Sequence, residues 1–435
     1  MLLSRLLKVD IYEVIAVFLV VISLGLKFYG LDDPDSYMFD EVYFAFTAQE
    51  VAKGNSDSWE MGAKAPEGFA FEWSHPPLGK ELSALGILIF GDRTFGWRFF
   101  QALFGGLGTI VIYIVGKELF QSKRAGVFAA FLYTFDSFIF VLSRITMVDV
   151  FLMNFILLAS LFVIKYAKTR SNKFIYVSGF FCGLSMSVKW SGVYVTEFLA
   201  AVALVVMYYT EVHSDKKSGE SYMVPTLKLL KTLLLGFIVI PLIVYVATYL
   251  PYFLYGHGLS DFITLQEGMF WYHKSITQSH PYQSQWWEWP ILLRTVFLYL
   301  GEYEDKHRYI YALGNPFIWW TGCLFLFVGI VQVIRKELPA LAFAVLSVLA
   351  YWLPWALSPR KVTFLYHFLP SFVFVVLVIA YFLDLIWERF QSGKYLVLLY
   401  LFIAAGTFVY FYPILAAVPI PDDSLGRYFW LSGWR

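Results

Sequence analysis

Apolar runs of about twenty residues, separated by short polar connections, recur along this chain. At 1.5 Å of rise per residue, ~20 helical residues cross a hydrocarbon core of ~30 Å. The runs predict spans at 11–29, 95–116, 125–142, 147–165, 174–189, 191–209, 229–250, 312–334, 339–356, 364–387 and 395–418, eleven crossings in all. A membrane barrel would instead show ten-residue segments of strict alternation, and the sequence has none. The expected fold class is therefore an all-α polytopic membrane protein, with residues 1–435 as one transmembrane domain and no separate soluble domain. Residues 1–30 combine a basic start with an apolar stretch too long for a signal-peptide core, and they lack a small-residue cleavage site. They read as a retained first helix.

The connections sort by charge. Arg5 and Lys8, Lys117, Lys123 and Arg124, then Lys165, Lys168, Arg170 and Lys173 alternate with weakly basic turns, as do Lys216 and Lys217, Arg335 and Lys336, and Arg389 and Lys394. Short basic connections mark the cytoplasmic side. That places the N-terminus inside the cell, and an odd number of spans sends the tail with Asp422 and Asp423 outside. Two connections, 31–92 and 251–311, are long, and both fall on the extracytoplasmic side. Loops of this length are uncommon without a function. Each carries aromatic, amphipathic stretches such as Phe69-Ala70-Phe71-Glu72-Trp73 and Gln285-Trp286-Trp287-Glu288-Trp289, suited to the headgroup level.

Composition narrows the functional classes. Hydrophobic residues make up 59% of the 435 and charged ones 15%, against roughly 25% charged in soluble domains. A net charge of +1 gives no basic surface for nucleic acid. Cys182 and Cys323 lie in apolar spans and read as packing residues, so neither a disulfide framework nor a thiol metal site is expected. No His, Cys, Asp or Glu spacing calls for a metal or other cofactor; the nearest candidate for a weak divalent site is the acidic stretch Asp32–Asp40.

The chemistry-bearing residues gather on the outer side. Asp40 and Glu41 follow the first span by about ten residues, and a carboxylate there can take a proton from a hydroxyl nucleophile. An acidic pair favoured by a helix start explains the same residues. In His75-Pro76-Pro77-Leu78-Gly79-Lys80 two prolines fix a turn, so that Lys80 offers a point charge to a phosphate or snorkels to the headgroups. Arg144 and Asp149 flank a short outer turn, as an ion pair or as an anion-binding arginine with its neighbour. Lys189 with Trp190, and Arg360 and Lys361 ahead of Tyr366 and His367, occupy two further outer turns. Several cations at one membrane face suit a lipid phosphate.

Taken together, Phe39-Asp40-Glu41, the His-Pro-Pro-x-Gly-Lys turn, Phe95-Gly96-Trp97-Arg98, Arg144 with Asp149, Val188-Lys189-Trp190-Ser191-Gly192, Trp287-Glu288-Trp289-Pro290 and Tyr366-His367-Phe368-Leu369-Pro370 resemble the protein O-mannosyltransferases of glycosyltransferase family 39. The resemblance runs over nearly the whole chain in the family's order. It implies a GT-C fold with about eleven transmembrane helices and an inverting, metal-independent transfer of mannose. The implied donor is a polyprenyl (dolichyl) phosphate mannose, and the acceptors are Ser or Thr hydroxyls of proteins. It places catalysis on Asp40 and Glu41 and Arg144 near the donor phosphate. Lys80, Arg360 and Lys361 are further candidates for the phosphate, and His75, Asp149, Lys189, Trp190, Tyr366 and His367 for the donor and acceptor pocket. The 251–311 connection is too short for the β-trefoil insertion of eukaryotic members, so the compact bacterial or archaeal form is expected. A dimer is compatible with the reading. The rivals are a GT-C enzyme moving another sugar, such as aminoarabinose, to a lipid, and an oligosaccharyltransferase, whose Trp-Trp-Asp-Tyr-Gly signature Trp286-Trp287-Glu288-Trp289 does not match. A solute transporter would hold its charges near the bilayer midplane instead.

Overall fold

The computed structural model describes residues 10–212, 223–277 and 279–435; Arg5, Lys8, Lys216 and Lys217, used above for the topology, lie outside the described residues. Helix α1 (Ile11–Phe28) starts where the Asp10 carboxylate accepts the Tyr12 N–H at 3.0 Å, an N-cap. Helices α2 (Glu41–Ala52) and α3 (Leu78–Phe90) belong to the first long connection. The bundle continues with α4 (Thr94–Phe120), α5 (Lys123–Thr134), α6 (Ser137–Leu142), α7 (Asp149–Thr169), α8 (Lys173–Val188), α9 (Gly192–Met207) and α10 (Leu227–Ala247). After α11 (Leu259–Ser275) come α12 (Pro316–Arg335), α13 (Pro339–Trp352), α14 (Leu369–Arg389) and α15 (Gly393–Leu415).

Each predicted span has helical structure. Among the described residues, nine helices are long and apolar enough to cross a membrane, and Lys173–Val188 is a shorter apolar helix. The span predicted at 125–142 is two helices, α5 and α6. The break falls at Asp136, a fully buried carboxylate that caps α6 through the Ile139 N–H at 2.9 Å and also accepts the Trp319 indole N–H at 2.9 Å and the Asn315 N–H at 3.3 Å. A buried carboxylate needs such donors, and meeting them ends one helix and starts the next.

The centre of the bundle is α7 and α14. Of the most apolar windows, 78% is buried in both Asp149–Thr169 and Leu365–Arg389, against 22% in α1; a helix apolar all round is one that sits inside. Helix α7 packs on α4, α8 and α9, while α14 packs on α5, α12, α13 and α15. At the opposite end from the long connections, Lys123 pairs with Asp10 at 2.7 Å and Glu13 at 2.9 Å, Lys168 with Glu118 at 2.8 Å, and Arg124 with Glu388 at 2.6 Å. The ends of α1, α4, α5, α7 and α14 that carry these charges thus meet on one side.

The 251–311 connection holds a feature that the all-α expectation missed. Strands β1 (Val296–Tyr303) and β2 (Lys306–Ala312) pair antiparallel from Val296↔Ala312 to Tyr303↔Lys306, and His307 bridges to Ile420 in the tail. The two residues between them, Glu304 and Asp305, close a tight turn in which Glu304 adopts a φ of 53°. Aromatic and β-branched residues favour strands as much as membrane interfaces, and the interfacial reading hid the hairpin.

Helices α8 and α10 touch backbone to backbone: a Cβ on Gly179 would lie 1.7 Å from the Gly236 carbonyl oxygen. Small residues permit such contact where no water drives association. Gly179→Leu is expected to lower the thermal unfolding midpoint in detergent, with an overpacking cost of at least ~1–3 kcal/mol. Gly406→Ala, with nothing within 4 Å of the added carbon, is expected to leave the midpoint unchanged.

Candidate active site

The end of the bundle that carries the long connections is organised by one buried ion pair. Glu41, the first residue of α2, is fully buried, and so is Arg98 on α4. Oε1 of Glu41 accepts the Arg98 Nε–H at 2.8 Å and the Thr146 N–H at 2.9 Å; Oε2 accepts Arg98 Nη2 at 2.7 Å and the Met38 N–H at 2.9 Å. The remaining guanidinium hydrogens go to the carbonyls of Pro34 at 2.9 Å, Ser36 at 2.8 Å and Leu31 at 3.3 Å. Every lone pair that faces the protein is used, so Glu41 is turned away from solvent. Phe39 takes a positive φ of 45°, and Asp40 next to it points elsewhere.

Asp40 faces a cavity of about 510 Å³. Its carboxylate has no hydrogen-bond partner among the described residues. Although reachable from the cavity, it lies deep in the protein, and burial raises its pKa to about 7, partly offset by the attraction of Lys189. The wall opposite comes from the short turns at the same end of the bundle. Lys189 follows α8 and donates to Oδ1 of Asp149 at 2.9 Å; its ammonium also sits 5.1 Å from the centre of the Tyr366 ring. Tyr366, His367, Asp149, His75 and Arg360 line the same cavity.

The His-Pro-Pro turn serves a different end from the one its sequence suggests. Lys80 is buried; it pairs with Oε2 of Glu72 at 3.1 Å and donates to the backbone carbonyls of Glu72 and, at 3.3 Å, His75. It ties the turn to the segment just before it and does not line the cavity of Asp40. Gly79 has to be small, since a Cβ there would come within 2.4 Å of Val148 Cγ1, and that contact seats α3 against the start of α7. Oε1 of Glu72 binds His75 Nδ1 at 2.8 Å and the Ser74 hydroxyl at 2.6 Å. Burial pulls the Glu72 carboxyl upward, but Lys80 and His75 outweigh it and hold it well below the usual range. Burial lowers the His75 pKa despite Glu72.

A second cavity of about 540 Å³ adjoins the first. His75, Lys189, His273 and Arg360 belong to both. Its own lining is mostly apolar and includes Trp190, Met186, Tyr194, Leu242 and Phe270. Trp190 is fixed by its indole N–H on Tyr245 Oη at 2.9 Å.

Of the expected site residues, the structure brings Asp40, His75, Asp149, Lys189, Arg360, Tyr366 and His367 to one cavity and Trp190 to its neighbour. Glu41, Lys80, Arg144 and Lys361 line neither. The Arg144–Asp149 pair considered from sequence does not form, because Asp149 pairs with Lys189. Instead Arg144 donates to the carbonyls of Leu26 at 3.2 Å, Lys27 at 3.0 Å, Tyr29 at 2.6 Å and Gly30 at 2.7 Å. Leu26 and Lys27 are in the last turn of α1, where carbonyls lack intrahelical partners, and Tyr29 and Gly30 follow it, so Arg144 caps the end of α1. Lys361 is exposed. Sequence reasoning gave no role to Glu72 or His273, both in the cavity wall. Among the described residues no group of three His, Cys, Asp or Glu side chains could hold a metal ion.

This is the architecture of a polytopic membrane glycosyltransferase. Over 99% of the chain, the fold matches 93% of a chain in the structure of the S. cerevisiae protein O-mannosyltransferase Pmt1-Pmt2 complex bound to the sugar donor, with a TM-score of 0.84 and 16% identity. ArnT from Cupriavidus metallidurans matches with a TM-score of 0.61 and 17% identity, over 92% of this chain and 64% of that one. Residues 17–255 match the family described as dolichyl-phosphate-mannose-protein mannosyltransferase, and residues 258–434 match the C-terminal four-transmembrane region of protein-O-mannosyltransferase. The chain belongs to the dolichyl-phosphate-mannose–protein mannosyltransferase family. The polyprenol-phosphate-mannose–protein mannosyltransferase of Mycobacterium tuberculosis is 26% identical, over 96% of this chain and 90% of that protein; the one from Corynebacterium glutamicum is 24% identical, over 98% and 94%.

Removing one partner of a buried ion pair leaves the other charge unpaired, at a cost of about 3–5 kcal/mol. Glu41→Ala and Arg98→Ala are each expected to lower the unfolding midpoint strongly in a thermal melt. Asp40→Asn, which removes an unpartnered carboxylate, should leave the midpoint unchanged or raise it.

Proposed function

We propose that the chain transfers mannose from a polyprenyl-phosphate-mannose donor to Ser or Thr hydroxyls of proteins at the outer membrane face. The observation that carries this reading is one cavity that sets a poised carboxylate, Asp40, across from two cations, Lys189 and Arg360, beside an apolar cavity that shares those cations. The apolar cavity suits the first isoprene units of a lipid carrier, and the shared wall suits its phosphate. The sugar then projects into the cavity with Asp40.

The reaction needs two things from the protein, a base for the acceptor and fixed cations for the leaving phosphate. The acceptor hydroxyl oxygen attacks C1 of the mannose while Asp40 takes the hydroxyl proton. The bond between C1 and the phosphate oxygen breaks on the opposite face, which inverts the configuration at C1. The electron pair stays on the lipid phosphate, whose growing negative charge Lys189 and Arg360 stabilise. Fixed donors aimed at developing charge are worth about 3 kcal/mol each in a site shielded from water. No step requires a metal. Glu41 acts only indirectly, by fixing the start of α2 and with it Asp40. The cytoplasmic side is assigned to the basic end by the positive-inside rule, which leaves the cavities facing outward. Pairing of two copies is supported only by analogy to the two-chain Pmt1-Pmt2 structure.

The test is transfer from polyprenyl-phosphate-mannose to a Ser/Thr-rich peptide by purified protein in the presence of EDTA. Wild type is expected to be active and Asp40→Asn to lose about 100-fold or more. Transfer that fails with EDTA, or that survives in Asp40→Asn, contradicts the mechanism. A general base works only when deprotonated. With the Asp40 pKa raised to about 7, kcat/KM should climb from pH 6 to pH 8 and level off above. A flat profile from pH 5 upward would place the essential base elsewhere.

A further inference from the structure

The cations at the outer end differ in how they are held. Arg98 is paired with Glu41, Lys80 with Glu72, and Lys189 with Asp149. Arg360 has no carboxylate partner within ion-pair distance among the described residues. Its side chain is held by two neutral acceptors. The Nε–H goes to the Val362 carbonyl at 2.9 Å, and Nη1 lies 3.2 Å from Nδ1 of His273.

The tautomer of His273 follows from its other nitrogen. Nε2 lies 2.8 Å from the carbonyl oxygen of Ser74. A carbonyl only accepts, so Nε2 carries the ring proton, and a neutral imidazole then has its lone pair on Nδ1. That lone pair accepts from the guanidinium. An imidazolium would set an N–H against the Arg360 N–H groups and put two like charges in contact. The surroundings keep the ring neutral: burial first, then His75 and Arg360, push its pKa down to about 3. His273 stands in the last turn of α11, with its ring centre 5.0 Å from that of His75. It therefore joins three separate parts of the outer face: the second long connection, the His-Pro-Pro turn and the turn that carries Arg360.

We infer that His273 is a positioning residue that orients Arg360 toward the donor phosphate with a neutral acceptor, leaving the arginine's charge uncompensated. This deepens the proposed function and rests on the assignment of Arg360 to the phosphate. A carboxylate in the same place would hold the guanidinium as firmly but would already have satisfied its charge before the lipid phosphate arrives. Lys189, by contrast, meets the donor with Asp149 still beside it. Of Lys189 and Arg360, the two Lys or Arg side chains shared by both cavities, Arg360 is thus the one that meets the phosphate without a carboxylate in ion-pair contact.

The test uses purified full-length protein, with donor KM and the binding constant for polyprenyl-phosphate-mannose as readouts. His273→Gln keeps an acceptor and a donor on a neutral side chain and is expected to stay within a few-fold of wild type. His273→Glu keeps the acceptor but adds a negative charge, and should raise the donor KM and binding constant about tenfold or more, with the acceptor KM unchanged. His273→Ala is expected to weaken donor binding about tenfold, the scale of one hydrogen bond to a charged group. That loss should vanish when the same change is made in Arg360→Ala, because residues acting through one another are not additive. Equal effects of Gln and Glu, or additive losses in the double variant, overturn the inference. If the alanine variant does not fold, the Gln–Glu comparison alone decides it. Wild-type donor binding by Arg360→Ala would overturn the phosphate assignment itself. Loss in Arg360→Ala with indifference at His273 would overturn only the role of His273.

Discussion

The buried pair of Glu41 and Arg98 is the constraint on which the rest of the outer face depends. Two charges taken out of water are costly unless hydrogen bonds meet all their donors and acceptors. Here that requirement is met by backbone from two places: residues 31–38, just ahead of α2, and the turn at Thr146. Satisfying the pair therefore fixes the chain around it. Asp40 is the residue before Glu41 and is aimed into the cavity; Asp149 begins α7 three residues after Thr146 and receives Lys189. The proposed base, Asp40, and one of the two proposed phosphate-binding cations, Lys189, are both set by a pair that touches neither.

The same physical demand, that no buried charge or helix end go unmet, explains where the other cations went. Arg144 answers the open carbonyls of Leu26 and Lys27 at the end of α1, and Lys80 answers Glu72 and the carbonyls of its own turn. Both are positioned at the correct face for a lipid phosphate, and both are already engaged. Lys189, although paired with Asp149, and Arg360 line the wall shared by the cavity of Asp40 and the apolar one. An amphiphilic donor with an apolar chain, an anionic joint and a polar sugar matches that succession of surfaces.

Much of this was legible in the chain. Twenty-residue apolar runs and the alternation of basic loops predict the bundle, because the bilayer dictates both. Asp136 was the exception: one carboxylate inside an apolar run looks tolerable in sequence, and only the packing of Trp319 and Asn315 against it shows why the helix stops there. The site was legible in its charges but not in their partners. Asp40, Lys189 and Arg360 stood out as ionisable residues at membrane turns, yet nothing in the spacing of Arg144 and Asp149 says that they will not pair. Glu72 and His273 were masked by their neighbours. Each sits in a stretch of Trp, Tyr and Phe that reads as an interfacial anchor; Glu72 takes its meaning from His75 and Lys80 in its own turn, and His273 from contacts that reach across the fold to Ser74 and Arg360.

The measurement that tests the account most directly is a structure of the protein with polyprenyl-phosphate-mannose bound. The phosphate is expected between the Lys189 ammonium and the Arg360 guanidinium, with the isoprene chain along Trp190 and Leu242 and C1 of the mannose facing the cavity that holds Asp40. A phosphate seated on Arg144 or Lys80, with Lys189 and Arg360 free, would contradict the account.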